Sequence, residues 1–298
     1  MKSVLGLHHI TAISGPAQEN LDFYAGVLGM RLVKKSVNQD DPGTYHLFYA
    51  DAVGHPGTDL TFFPWAQMAP SRAGHGLSTE VSLAVPPDSL GFWSGRLQRY
   101  GVALGAPELR FGEHVLPTKD THGLRLALVE SASAMERPFT PWEEGPIPVS
   151  YQIRGLETAR MDEASLPISS TFLTEAMGFR EIGTENGWHR YGVGEGKSGQ
   201  YVDLCELTSA RRGAWGTGSV HHIAWRVKDE AQQKEVRLDV TRGGAQPTPV
   251  IDRFWFKSVY FKEPGGVLFE LATDAPGFAV DEDQAHLGEK LVLPPWLE

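Results

Sequence analysis

The residues best suited to chemistry lie in three short apolar runs far apart in the chain. The string His-His-Ile occurs at 8–10 and again at 221–223, and these two copies hold four of the eleven histidines. Glu270 lies inside a third run, at 267–272. Two imidazoles and one carboxylate form the ligand set of non-haem iron sites that keep open positions for substrate and oxygen.

Strand alternation separates the two histidines of each pair, because neighbouring side chains on a strand point to opposite faces. By this count the first histidine of each pair shares a face with apolar neighbours that suit core packing: Ile10 and Ala12 for His8, and Ile223, Trp225 and Val227 for His221. The second histidine faces the other way, His9 together with Leu7 and Thr11. We therefore predict that His9, His222 and Glu270 are the metal ligands, with Tyr260 on the same side of the sheet as His222 and Glu270.

Residue types alone leave a structural alternative open. A histidine on a half-buried strand is more often a hydrogen-bonded core residue than a ligand. Glu270 would then pair with an arginine on a solvated sheet face, for which Arg226 is available. A buried carboxylate without such a partner would instead require a bound cation.

The elements that must position these residues form a pattern that repeats four times. Each stretch opens on a strand-like run, passes through a helical segment and closes with three further strand-like runs. This predicts an α+β fold of four βαβββ modules at about 5–64, 77–130, 151–207 and 218–272, with helices over about 20–29, 89–100, 170–177 and 229–241. The proline-rich segment 136–148 predicts a connection between an N-terminal domain, 1–140, and a C-terminal domain, 141–298, that ends in a tail.

Composition limits the classes of function. A net charge of −10 and a pI near 5.6 argue against nucleic acid or an anionic membrane as the partner. No apolar run is long enough for a signal peptide or a membrane span, so we predict a soluble, cytoplasmic protein. Cys205 is the single cysteine, which excludes an internal disulfide and a thiolate-rich metal site. A small-molecule substrate is the remaining expectation, and a homo-oligomer stays open.

Several motifs in order along the chain resemble the ring-cleaving dioxygenases of the vicinal oxygen chelate superfamily, which also contains the glyoxalases, and in particular the hydroquinone 1,2-dioxygenase branch. The likeness covers nearly the whole chain, including the tail. It is carried by the segments 7–11, 45–51, 54–57, 62–64, 220–224 and 264–270.

The resemblance implies two domains of two βαβββ modules and an Fe(II) held by His9, His222 and Glu270, with Mn(II) or another divalent metal as alternatives. It also implies polar residues around the metal at His8, Thr11, His221, Arg253 and Tyr260. Catechol-cleaving relatives take their first histidine from the third module, but 151–155 here contains none. The first and fourth modules must therefore lie side by side around the metal.

The function implied is cleavage of a dihydroxylated aromatic ring, such as a substituted hydroquinone, with O₂, as in aromatic compound degradation. We expect Tyr260 to hydrogen-bond the bound substrate oxygen or move its proton, and Arg253 to stabilise negative charge. His8 and His221 would orient the ligand-bearing strands or shuttle protons. Two alternatives remain: a glyoxalase-like isomerase or lyase that uses the metal without O₂, and a non-catalytic protein that binds aromatic compounds.

The other histidines are weaker candidates, and we expect most of them to be surface or hydrogen-bonded residues: His46, His55, His75, His114, His122, His189 and His286. One of Phe254 and Trp255, beside Arg253, could line an aromatic substrate pocket.

Overall fold

Four βαβββ modules make up the fold, as predicted, in a computed structural model that describes residues 3–298. The first module comprises β1 (Leu7–Ser14), α1 (Ala17–Leu21, continued by a π-helical segment over Asp22–Val27), β2 (Arg31–Asn38), β3 (Asp41–Ala50) and β4 (Asp59–Pro64). The second comprises β5 (Leu77–Val85), α2 (Leu90–Arg99), β6 (Glu108–Arg110), β7 (Glu113–Lys119) and β8 (Arg125–Glu130).

The two remaining modules repeat this order. The third comprises β9 (Gly155–Glu163), α3 (Leu166–Ala176), β10 (Arg180–Glu185), β11 (Trp188–Gly192) and β12 (Tyr201–Glu206). The fourth comprises β13 (Ser219–Val227), α4 (Glu230–Arg242), β14 (Ile251–Asp252), β15 (Lys257–Lys262) and β16 (Leu268–Thr273). None of the helices in the described part of the chain is both long and apolar enough to cross a bilayer.

The sixteen strands form two eight-stranded sheets, and each sheet joins two modules. The first sheet has the order β14-β15-β16-β13-β1-β4-β3-β2, so the first and fourth modules lie side by side, as the resemblance implied. The second sheet has the order β10-β11-β12-β9-β5-β8-β7-β6 and joins the second and third modules. Each sheet therefore combines strands from both sides of residue 140, and the division into domains at that point stays a prediction.

Apolar side chains pack on both sides of the first sheet. The main core includes Leu7 and Ile10 of β1 and Trp225 of β13, together with residues of the helices and of the second sheet. A smaller cluster on the opposite side contains Ala224 and Phe48, and the C-terminal residues Phe278 and Leu287 close it. The alternation of Ala224 and Trp225 between the two clusters shows the period of two that a sheet requires.

The connecting segment is fixed by one arginine. The Arg137 guanidinium donates hydrogen bonds to the carbonyl oxygens of Gly57 and Leu156, both at 2.6 Å, and to Ser198 Oγ at 3.2 Å. Gly57 has a φ of +90°, and a Cβ at this position would lie 2.6 Å from the guanidinium. The connection thus ties the first module to the third through a close approach that only glycine permits.

Candidate metal centre

Three side chains from neighbouring strands of the first sheet converge on one point. Ala224 of β13 pairs with His9 on β1 on one side and with Glu270 on β16 on the other, and His222 lies two residues before it. Glu270 Oε2 is 3.3 Å from His9 Nε2 and 3.0 Å from His222 Nε2, and the two Nε2 atoms are 3.4 Å apart. The structure thus brings together the three predicted ligands, all of them buried.

Two β-bulges place the first histidine of each pair beside the second. On β1 the pairing with β13 passes from Leu7 to His9, which leaves His8 unpaired, and on β13 it passes from His222 to Val220, which leaves His221 unpaired. The prediction that the first histidine of each pair faces away from the second is therefore wrong. A bulge adds one residue to a strand and re-aims its side chain, so simple alternation fails at these two positions.

The bulge at His8 fixes the proton arrangement of His9. His8 Nε2 lies 3.2 Å from the carbonyl oxygen of Thr273, which can only accept, so this nitrogen carries the proton. Burial lowers the pKa of His8 to about 3, so the ring is neutral and its Nδ1 is an acceptor. His9 Nδ1, 2.9 Å away, must then donate. A neutral His9 is left with a lone pair on Nε2, directed at the centre, as a metal ligand requires.

His221 repeats this contact at the edge of a cavity. Its Nδ1 is 2.8 Å from His222 Nδ1, and its ring stacks on Trp215 with centroids 4.4 Å apart. Burial lowers the pKa of His221 to about 3 and also lowers that of His222. Both rings are therefore neutral, and when His222 Nδ1 donates to His221 Nδ1, His222 Nε2 carries a lone pair that is available to a cation.

Glu270 is the anionic member of the set. Its Oε1 accepts a hydrogen bond from Ser258 Oγ at 2.5 Å, whereas within residues 3–298 its buried Oε2 has no donor in good hydrogen-bond geometry. Burial raises the pKa of Glu270, but positive charge or N–H donors at the adjacent His9 and His222 lower it well below its usual range. Once both Nε2 atoms present lone pairs to the centre, that role would fall to a bound cation. Because an ionised carboxylate at this depth requires a positive partner, the residues fit a divalent metal.

The alternative ion pair for Glu270 is wrong. Arg226 instead pairs with Asp274, through two contacts of 2.6 and 2.8 Å. Arg226 therefore does not neutralise Glu270.

A cavity of about 350 Å³ opens above His9 and His222, a size that suits one aromatic ring. Its walls are largely aromatic: Phe48, Phe63, Trp65, Trp255 and Phe256. Trp255 is thus the pocket residue of the pair singled out in the sequence, and Phe254 contacts Trp296 instead. A flat apolar slot over a set of metal ligands can position an aromatic molecule against the metal.

Tyr260 and Arg253 both line this cavity. Tyr260 pairs with Glu270 across β15 and β16, and its ring centroid is 5.7 Å from that of His222. Burial raises the pKa of Tyr260, so the phenol is neutral and able to donate a hydrogen bond. Arg253 lies over the Tyr260 ring, 5.3 Å from its centroid, and pairs with both carboxylate oxygens of Asp40, at 3.0 and 2.7 Å.

Thr11, like His8 and Glu270, does not line the cavity. It is fully buried, and its Oγ1 is 2.7 Å from Thr61 Oγ1, which in turn is 2.8 Å from His46 Nε2. His46 does line the cavity, whereas the sequence analysis ranks it with the other scattered histidines. The available signal was its place in the motif at 45–51, two residues before Phe48 on the same strand.

The second sheet carries the same bulges, at Thr79 and Glu157. Within residues 3–298, however, it brings together no equivalent group of three candidate metal ligands. By strand register, Asp203 occupies the position of Glu270 and Arg190 that of Tyr260. The Arg190 guanidinium pairs with Asp203 at 2.8 and 3.1 Å, and Arg160 approaches the same carboxylate at 3.4 Å. In the second sheet two arginines thus neutralise the carboxylate that occupies the position of Glu270.

The chain is similar to several known proteins. The model of the glyoxalase/bleomycin resistance protein/dioxygenase superfamily matches residues 6–128. A Bacillus subtilis protein named "Putative ring-cleaving dioxygenase MhqO" is 44% identical over 293 residues, which cover 98% of this chain and 92% of that protein. The "Chlorohydroquinone/hydroquinone 1,2-dioxygenase" of Sphingobium indicum is 32% identical over 303 residues, which cover 99% of this chain and 93% of that protein.

A solved structure resembles the whole chain. The crystal structure titled as a putative dioxygenase from Bacillus subtilis superposes with a TM-score of 0.92 at 42% sequence identity, covering 100% of this chain and 94% of the other.

Proposed function

Because this chain belongs to the glyoxalase/bleomycin resistance protein/dioxygenase superfamily and its relatives are named as ring-cleaving dioxygenases, we propose that it is an Fe(II)-dependent enzyme that cleaves a dihydroxylated aromatic ring with O₂. A substituted hydroquinone is the proposed substrate. The observation that carries this proposal is the convergence of His9, His222 and Glu270, of which the two histidines line a cavity with aromatic walls.

The donor set supports iron as the metal. Two neutral imidazoles and one carboxylate are typical of non-haem Fe(II), while Mn(II) and other divalent ions accept the same donors. Bound iron would supply open coordination positions for a substrate hydroxyl and O₂. His8 and His221 act through their Nδ1 contacts, which hold each ligand ring in one orientation.

Two residues of the cavity wall are proposed to act on the substrate directly. Tyr260, as a neutral phenol beside Glu270 and His222, donates a hydrogen bond to the substrate oxygen or relays its proton. Arg253, fixed by Asp40, places a permanent positive charge at the wall, where it stabilises negative charge that develops on the ring. Thr11 contributes by positioning, since Thr61 lies between it and the cavity.

Anaerobic reconstitution with Fe(II), followed by oxygen-electrode measurements over a panel of hydroquinones and catechols, tests the proposal. We expect stoichiometric O₂ consumption and loss of the aromatic absorbance, with no turnover in a Zn(II)-loaded control. Conversion of a substrate without O₂ uptake would indicate an isomerase or lyase. A protein that binds aromatic compounds and retains no metal would be a binding protein, and either result would overturn the assignment.

A further inference from the structure

We propose that His46 recognises the second hydroxyl of the substrate, the one that does not bind the metal. This inference rests on the proposed function. His46 lines the same cavity as His9 and His222, and it belongs to β3, a strand that carries none of the three ligands. It therefore contacts a bound ring from a different wall than the metal does.

The His46 ring is held in one orientation. Its Nε2 is 2.8 Å from Thr61 Oγ1, and its face lies against Phe48, with centroids 3.8 Å apart at 34°. Phe63 covers it from another side, at a centroid distance of 4.5 Å. Within residues 3–298 no hydrogen-bond partner lies on Nδ1, so this nitrogen is free to meet a ligand in the cavity.

The orientation of His46 depends on a chain of hydroxyl groups that starts at the metal-ligand strand. Thr11 lies two residues after His9 on β1 and pairs with Thr61 on the parallel strand β4. The two Oγ1 atoms are 2.7 Å apart, and Thr61 Oγ1 also forms a hydrogen bond with His46 Nε2. This gives Thr11 a function although it has no access to the cavity.

Three other polar residues that line the cavity already have hydrogen-bond partners. Asn38 accepts a hydrogen bond from the backbone of Asp40, and Gln39 donates one to the carbonyl oxygen of Arg253. The carboxylate of Asp41 accepts from Trp65 Nε1 at 2.9 Å. His46 thus presents a ring nitrogen, Nδ1, that is fixed in position and has no partner among the described residues. A substrate hydroxyl can pair with Nδ1 in either tautomer of His46, because a hydroxyl group both donates and accepts hydrogen bonds.

A site that hydrogen-bonds a substrate hydroxyl discriminates against analogues that lack it. We therefore compare hydroquinone with phenol, which keeps one hydroxyl for the metal and lacks the second. Zn(II)-loaded protein is titrated with each ligand by calorimetry, so that binding is measured without turnover. For the wild-type protein we expect hydroquinone to bind about tenfold more tightly than phenol, the effect of one hydrogen bond.

His46→Phe should abolish this preference by weakening hydroquinone binding about tenfold while phenol binding stays unchanged. His46→Asn, which keeps a donor and an acceptor, should retain part of it. Unchanged phenol binding also shows that the variant is folded and holds its metal. If His46→Phe still prefers hydroquinone to phenol, or loses affinity equally for both ligands, this inference is overturned while the proposed function stands. If the wild-type protein bound neither ring, the proposed function would fail and the inference with it.

The positioning role of the two threonines is tested separately. Thr61→Val should raise KM for hydroquinone severalfold with kcat nearly unchanged, because the lost contact contributes equally before and during the reaction. Thr61→Ser should restore the wild-type value, and Thr11→Val should show a smaller rise. A Thr61→Val variant that loses kcat at constant KM would contradict this role.

Discussion

Replacing His8 by phenylalanine tests the hydrogen-bond chain behind the metal centre. The variant keeps an aromatic ring beside Phe256, whose centroid is 5.3 Å from that of His8, but removes both nitrogens. His9 Nδ1–H and the Thr273 carbonyl oxygen would each lose a buried partner, at 2.9 and 3.2 Å. An unsatisfied buried polar group costs about 1–3 kcal/mol, so the free energy of unfolding of the metal-free protein should fall by roughly 2–6 kcal/mol.

The same substitution should weaken metal binding. Loss of a partner that orients a ligand imidazole typically lowers metal affinity about 10- to 100-fold. Urea unfolding of the metal-free protein and competition with a chelator measure the two effects independently. His114→Phe, at an exposed position of the second sheet, is the matched control and should change neither. His8→Gln, which offers an amide oxygen to His9, should recover part of the affinity. Wild-type metal affinity in His8→Phe would refute the proposed role of the chain.

Three further substitutions probe other parts of the molecule. Glu270→Ala should abolish iron retention and oxygen uptake together, as measured by metal analysis and an oxygen electrode; an iron-replete, active variant would contradict the ligand assignment. Tyr260→Phe should keep its iron but turn over more slowly, and an unchanged rate would remove the phenol from the mechanism. Burial, and then the charge of Glu113, raise the pKa of Glu157 to about 7, so the folded protein binds its proton more tightly than the unfolded chain. The free energy of unfolding should therefore fall as pH rises from about 4.5 through 7. Glu157→Gln, measured by urea unfolding, should remove about 3 kcal/mol of this pH-dependent loss of stability at pH 8. A difference in stability between variant and wild type that does not change with pH would refute the raised pKa of Glu157.

Much of the fold could be predicted because its signals are local. Apolar runs and glycine stops give the four modules, and the motif-based resemblance is confirmed by the family match and the relatives. The start of the third helix was placed too late, at residue 170, whereas α3 begins at Leu166. Pro167 occupies its first turn, where proline is compatible with a helix because the backbone N–H there has no partner within the helix.

The remaining features of the site depend on contacts that sequence spacing does not encode. A bulge adds one residue to a strand without altering the residue types. The pattern of alternating residues therefore does not indicate that the side chains of His8 and His221 turn toward their neighbours. The hydrogen-bonded link from Thr11 through Thr61 to His46 crosses three strands, so the sequence of any one strand does not predict it. The Asp274 partner of Arg226 was equally beyond prediction, because it depends on the conformation of the residues that follow β16.

The contribution of ligands by the first and last modules has a consequence for biosynthesis. During translation His9 emerges early, but its strand β1 has no β13 to pair with until residues 219–227 have been made, and the carboxylate arrives only with residue 270. A nascent chain therefore offers at most an incomplete ligand set. A metal that needs all three ligands could therefore bind stably only after β16 has been synthesised and the first sheet has assembled.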